Sequence, residues 1–598
     1  MRSVRVLWLA PPGVLRLSAE GFLRSLLTLL LVLSMIQFAA AQPTKRAPYA
    51  TSKSSPSESE PGRPIQRALQ KGRLDDLRWP DFADYRIQLE KFYRASHYSF
   101  AWIENSGPSG RALQMIDALR QADTEGLDPE DYDASRWPVR IALLAANHEP
   151  EDEARFDLAL TVSAMRYISD VHIGRVNPQH ASFALGTGRQ RIDLATFLRE
   201  LADTRGDLTS EIASIEPPLA GYKATRKALL HYMALAKDDV PGQLPPPVGI
   251  VYRGGYYDHM PELATRLRRL GELPPTAIIF QDATTYDGPL LDAVRSFQQR
   301  HGLRATGNLT SETIDEINVP LSARVDQLRV SLERYRWPRA SFREPFIVVN
   351  LPEFRLRAYD ADGHMVLSMG VDVGDAYDFQ TPVFQDEIRY LVFRPYWYVP
   401  ATIQRDEVVP DMASDRDFAR EIGIDVLTPD GRVIPPAGIN STVIRNLRAG
   451  RYRVRQQPGP LNALGLVKIV FPNPYDVYMH GTPTTKDMFS GDDHALSHGC
   501  IHLERPAELA QWLLRDQPGW TSDRIEAAMH HGQDNRTVFL KHPVPIMITY
   551  ETTGISADGK IQFYSDIYGH DADLARALSN DYLHPKVPTN LLYAGVGD

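Results

Sequence analysis

At 598 residues, with 43% hydrophobic and 24% charged side chains, the chain has ample material for several packed cores and is not disordered as a whole. A net charge of −9 argues against nucleic acid as a partner. A single cysteine, Cys500, excludes an internal disulfide framework.

In chain order, Arg16 and Arg24 precede the apolar run "LLTLLLVLSMIQF", which ends in "AAAQP". A basic flank, a short apolar core and small residues at 39 and 41 predict a secretory signal over 1–41, cleaved after Ala41. Kept uncleaved, that segment would be the one membrane contact, because no comparable apolar stretch follows. Either way the body of the protein is expected outside the cytoplasm. There structural cysteines come in pairs, so a lone one is an accident, an intermolecular bridge or a reactive thiol. Residues 42–64, rich in Ser, Pro and charge, read as a disordered linker. From 65 to 283 the pattern is that of a helical scaffold domain. "RIQLEKFYRA" offers Ile87, Leu89, Phe92 and Tyr93, and "RALQMIDALRQA" offers Leu113, Ile116 and Leu119 as core stripes.

A compact unit is predicted over 284–320. "PLLDAVRSFQQRHGL" puts Leu290, Val294 and Phe297 on one helix face with Gly302 as its end signal, and Thr310 or Ser311 caps the next helix. With its AV-x-x-FQ, HGL and TG residues, this segment resembles the small three-helix peptidoglycan-binding module; the residues suit a spacer as well as a sugar-binding unit. Residues 321–345 read as a return to the scaffold or a linker.

From 346 to 575 the texture changes to strands, beginning with "FIVVNLPEFRLRAYDADGHMVLSMGVDVG" and its Asp362-Gly363 hairpin signal. Pro506 is placed to open the helix "AELAQWLLRD", with Leu509, Trp512 and Leu513 on one face. A charged stretch over 401–464 reads as an irregular insert of the kind that caps a site, and 576–598 as a C-terminal tail. The predicted class is multidomain α+β: a mostly helical N-terminal part followed by a mostly β catalytic domain.

Cys500 lies in "HGTPTTKDMFSGDDHALSHGCIHL". A thiol needs an imidazole to take its proton, a partner to orient that imidazole, and backbone N–H groups for the developing oxyanion. His480 and His498 are candidate bases, and Gly481 and Gly499 allow close backbone approach. If 497–503 is extended, His498 and Cys500 share a face; if the strand ending at His480 lies alongside, His480 comes directly opposite Cys500. The spacing does not separate these bases. A helix through His494, His498 and His502 would instead align metal ligands, but Gly499 and "GCIHL" argue against one, so no metal is expected.

His480-Gly481-Thr482-Pro483 followed by Ser497-His498-Gly499-Cys500-Ile501 resembles the signature of the L,D-transpeptidases. "LERYRW", "TPVF", "PYWYVP", "PGPLNALGLVKIVFPNPYDVYMHGTP" and "SDIYG" are similar to the large periplasmic members, which carry a scaffold domain with an inserted peptidoglycan-binding module. The resemblance implies periplasmic location, no cofactor, peptidoglycan stem peptides as substrates and cell-wall synthesis proteins as partners. It implies Cys500 as nucleophile, His480 as base oriented by the Gly481 carbonyl, and His498 shaping the site. The Cys500 N–H, with that of Gly499, would form the oxyanion hole; Tyr478, Ser497, His502 and Arg505 would contact substrate. The implied reaction joins two stem peptides through a thioester; a thiol-dependent hydrolase and a non-catalytic wall-binding scaffold are the alternatives. One departure stands out: the family usually has Arg where this chain has His502, and a histidine is mostly neutral at pH 7. Arg505 could compensate if the turn brings it inward.

Overall fold

The computed structural model describes residues 62–579 apart from short internal stretches, chiefly 179–182, 184–191, 278–284 and 338–343. The expected signal segment, most of the 42–64 linker and the end of the tail lie outside the described residues. Where the linker was expected to run to residue 64, a helix already spans Gly62–Lys71.

The N-terminal core is organised by α1 (Pro150–Ile173), buried along almost all of its 24 residues. Shorter helices surround it, so its polar residues must find partners inside. Asp157, fully buried, accepts the Tyr93 hydroxyl at 2.7 Å and the N–H groups of Ala101 and Trp102 at 2.8 and 2.7 Å. A second layer pairs α2 (Ala220–Lys237) with a later helix around Tyr222, Leu229, Leu328 and Leu332.

Between them α3 (Met260–Arg269), α4 (Pro289–Arg300) and α5 (Ser311–Ile317) form the small module, with Leu263, Leu267, Leu290, Val294, Phe297 and Ile314 in one core. Gly302 takes φ +68° just beyond α4, and the Thr310 hydroxyl accepts the Thr313 N–H. The module therefore starts earlier than the 284 set by its motifs. Its first helix lacks those motifs but packs its apolar face on the other two. The 321–345 stretch contains α6 (Leu321–Arg336), the helix that packs on α2, and so is more than a linker.

The C-terminal part is a sheet of nine strands: β1 (Phe346–Asn350), β2 (Arg355–Tyr359), β3 (Met365–Gly374), β4 (Gln385–Phe393), β5 (Val467–Val470), β6 (Met479–His480), β7 (Ala495–Ser497), β8 (Ile501–Leu503) and β9 (Arg536–Thr549). Their order is β7-β3-β8-β6-β5-β4-β9-β1-β2, and β2 also pairs with β3, so eight strands close on themselves. Closure leaves few unpaired edges. The helix α7 (Pro506–Leu513) follows β8, with Leu509 and Leu513 buried. The 401–464 insert is not irregular. It holds short helices and the strands Arg453–Gln456, Ile424–Leu427 and Val433–Ile434, which form one sheet with Trp397–Tyr398 just before it, built on Val426, Val443, Leu447 and Val454. Its charges lie outside that apolar set, which is why local composition hid the order. Among the described residues no helix is long and apolar enough to cross a membrane.

Candidate active site

Cys500 sits in a bend between β7 and β8, not in a continuous strand. The bend depends on Gly499, whose φ of +106° is strained for any side chain. It also depends on Gly374, because a Cβ there would lie 1.9 Å from the Phe379 carbonyl and 2.9 Å from Gly499 Cα. Ser497 closes the turn: its hydroxyl donates to the Cys500 carbonyl at 2.6 Å and accepts the Gly499 N–H at 3.1 Å. Ser497 thus builds the bend rather than facing a substrate, and the Gly499 N–H is already used. That removes Gly499 as a second oxyanion donor in this conformation.

The bend also separates the two candidate bases. His498 does not share a face with Cys500. Its Nε2 lies 3.0 Å from Glu407 Oε1 in the insert, and its ring is 4.5 Å from that of Phe379. His480 lies on β6, parallel to β8, in the register Met479↔Ile501 and His480↔His502. It is therefore opposite His502, two residues beyond Cys500, rather than directly opposite the thiol. The residue beside the thiol is Tyr478, whose N–H reaches Sγ at 3.4 Å while its carbonyl accepts the Ile501 N–H. Sγ–H in turn points to the Asp476 carbonyl at 3.7 Å. Asp476 holds that position in a left-handed conformation, φ +55°, of the kind that gathers at functional sites.

The His480 imidazole is fully buried, and its Nδ1 lies 2.5 Å from the Gly481 carbonyl. A carbonyl can only accept, so Nδ1 carries the proton and Nε2 carries the lone pair. Burial, then the neighbouring His502, pushes the His480 pKa well below the usual imidazole range. Burial also pushes the Cys500 thiol well up, against the pull of the Tyr478 N–H and Lys468. At rest the pair is thiol and neutral imidazole, so the proton must move as the sulfur reacts.

The register reveals a transverse row that motif reading missed. Lys468 on β5 faces His480 on β6, which faces His502 on β8, which faces Asp372 on β3. Lys468 Nζ stands 3.5 Å above the Tyr478 ring, and burial brings its pKa down to about 8. His502 Nδ1 lies 3.2 Å from Met488 Sδ, and burial, then His498, lowers its pKa to about 3. Asp372 is fully buried, and burial, then Asp493, raises it to about 8 against the pull of the Leu496 N–H. In sequence, Lys468 and Asp372 are each a lone charge inside an apolar strand, "LVKIVF" and "MGVDVG", and that is the signal that could have found them.

Arg505 does not turn inward to replace an arginine at 502. It is held by Glu508 at 3.0 Å, Glu504 at 3.1 Å and the Ser368 carbonyl. The histidines do not form a metal set either. His494 lies against Phe354 and Phe489, while His498 and His502 point to different partners. Among the described residues, three ligand-type atoms converge only at Asp360, Asp362 and His364, in the hairpin turn after β2.

Comparison with known proteins returns three family models: "Scaffold domain" over residues 87–229, "Putative peptidoglycan binding domain" over 258–317 and "L,D-transpeptidase catalytic domain" over 344–540. A protein of Haemophilus influenzae described as "Putative L,D-transpeptidase" is 32% identical over 234 residues, 39% of this chain and 46% of that one. The match thus spans about half the relative's length. Solved L,D-transpeptidase structures from Xylanimonas cellulosilytica and Stackebrandtia nassauensis align at 15% and 14% identity, over 51% and 52% of this chain and 100% and 97% of theirs. Their TM-scores, 0.17 and 0.19, carry no argument about the fold.

Proposed function

We propose, on the premise that the chain carries an L,D-transpeptidase catalytic domain together with scaffold and peptidoglycan-binding domains, that it cross-links peptidoglycan stem peptides through a thioester on Cys500. The observation that carries this reading is that the chain's one cysteine immediately precedes β8, beside the strand that holds His480, whose Nδ1 is fixed on the Gly481 carbonyl.

In the first step His480 Nε2 takes the thiol proton as Sγ attacks the carbonyl after the third residue of a donor tetrapeptide stem. The tetrahedral oxyanion forms against the Cys500 N–H. His480 returns the proton to the departing amine, D-alanine leaves, and the thioester remains. In the second step the side-chain amine of a second stem's diaminopimelate attacks that thioester. His480 accepts a proton from the amine, the C–S bond breaks, and the thiol is restored with a new amide between third residues. The buried surroundings of Sγ favour an amine carried in by a bound peptide over bulk water. The wall-directed domains support work outside the cytoplasm, in the periplasm, with peptidoglycan as the partner.

Mass spectrometry of products from purified disaccharide-tetrapeptide tests this. Wild type is expected to give dimers with loss of D-alanine, and Cys500→Ala none. Tripeptide without dimer would make the protein a thiol-dependent hydrolase. Equal wall binding by both proteins with no thiol-dependent product would make it a scaffold.

A further inference from the structure

We infer that Lys468 is a positioning residue for Cys500 and His480 that acts by its charge, drawing the thiol towards thiolate while keeping the imidazole in its proton-accepting form. The inference rests on the proposed roles of that pair and adds the group that tunes both.

The geometry comes from register. Lys468 is the direct cross-strand partner of His480, and its ammonium sits over the Tyr478 ring at 3.5 Å. Tyr478 also supplies the N–H that touches Cys500 Sγ. One strand step therefore links the cation to the base, and one ring links it to the nucleophile. On the other side Lys468 faces Val392 of β4, so no charge competes from that strand. The titratable groups facing it are Asp476, Tyr478, His480 and Cys500, with His502 and Asp372 further along the row. His502 and Tyr478 are held uncharged by burial. Asp476 opposes Lys468 at the thiol.

A positive charge favours an anion and disfavours a second cation. Beside Cys500 it therefore lowers the thiol pKa, and beside His480 it lowers the imidazole pKa. The first effect favours the chemistry, because the sulfur must lose a proton; the second keeps the imidazole unprotonated towards lower pH while making it a weaker base. Burial costs Lys468 part of its own stability as a cation, yet at about 8 it is still protonated near neutral pH. A merely structural lysine would pack its methylenes and leave both titrations where they are.

The single cysteine makes the test clean. The ultraviolet absorbance of the thiolate is titrated against pH, with Cys500→Ala as the tyrosine background, and the acid limb of tetrapeptide turnover is measured alongside. In Lys468→Met, which keeps the packing and removes the charge, both are expected to move to higher pH. A shift of one unit corresponds to about a tenfold loss of thiolate at a fixed pH below the thiol pKa. Lys468→Arg should return both, and Lys468→Gln serves as a second charge-free variant should Met disturb the fold. Unmoved limbs, or limbs moving in opposite directions, would overturn the inference. A thiol titration that shifts as expected in a protein that makes no peptide product would instead sink the proposed function and leave the role of Lys468 at the thiol standing.

Discussion

Two of the places where the molecule buries ionisable side chains treat them in opposite ways. In the helical part, Glu125, Arg226, Arg336 and Tyr222 join α2 and α6 to the N-terminal core. Glu125 meets Arg226 at 2.5 Å and Tyr222 at 3.0 Å, and Arg336 reaches Tyr222 at 3.0 Å and Glu333 at 3.6 Å. Positive and negative charges are matched there. In the barrel, the row Lys468, His480, His502 and Asp372 runs across four strands as cross-strand neighbours. Burial, the largest cause for each, pushes its members towards their neutral forms. Compensated charge fixes how helices dock; groups pushed towards neutrality sit ready to exchange protons.

Substitutions can break that contrast, and the largest effect is expected within the row. His480→Ala should cut peptide turnover by about 10²–10⁴-fold per folded molecule, the range for a lost general base, beyond what any fall in the thermal melt from the emptied core site explains. Turnover and melting on the same preparation check it. Glu125→Ala should do the reverse. Arg226 keeps Glu216 and Arg336 keeps Glu333, so losing the buried Glu125 carboxylate should cost about 1–3 kcal/mol of stability, seen as a lower melting temperature with unchanged turnover per folded molecule.

Asp372 sharpens the comparison through pH. Its folded pKa is raised to about 8 from the ordinary carboxylate range. Protonated Asp372 therefore favours the folded state, and that contribution is fully present at low pH. It is lost as pH climbs from about 4 towards 8. Asp372→Asn should remove that slope and be more stable than wild type by about 1–3 kcal/mol at the upper end, with little difference at the lower end. Denaturant melts at two pH values decide it. The smallest effect is expected at Glu407. Glu407→Gln removes the charge facing His498 and should weaken binding of the donor peptide a fewfold, since a partly exposed pair of this kind contributes about 1 kcal/mol or less; KM should change and kcat should not.

Much of this was legible in sequence, for identifiable reasons. The Asp362-Gly363 hairpin, Thr310 as a cap and Pro506 opening α7 are local chemistry, and each occupies the expected place, whereas the bend at Gly499 breaks the extended run considered for 497–503. Helix faces were half legible. Ile116 and Leu119 are buried, but Leu113 is 47% exposed because steps of three drift around a helix; Ala112 and Met115 complete the true face. Ile87 is likewise outside its core at 59% exposure. Relations between strands were hidden. A register of His480 against His502, rather than against Cys500, is set by pairing across 22 residues, and no local pattern states it. The same holds for Lys468 and Asp372, which become part of the site only when four strands align. Arg505 reads as available in sequence because the partners that hold it include Ser368, which precedes it by more than a hundred residues.

Intact-protein mass spectrometry during turnover of disaccharide-tetrapeptide, followed by peptide mapping, tests the central claim most directly. A transient adduct equal to the donor minus D-alanine, mapped to Cys500 and absent from Cys500→Ala, is the predicted result. Product formation with no adduct at Cys500, or formation that survives Cys500→Ala, would contradict it.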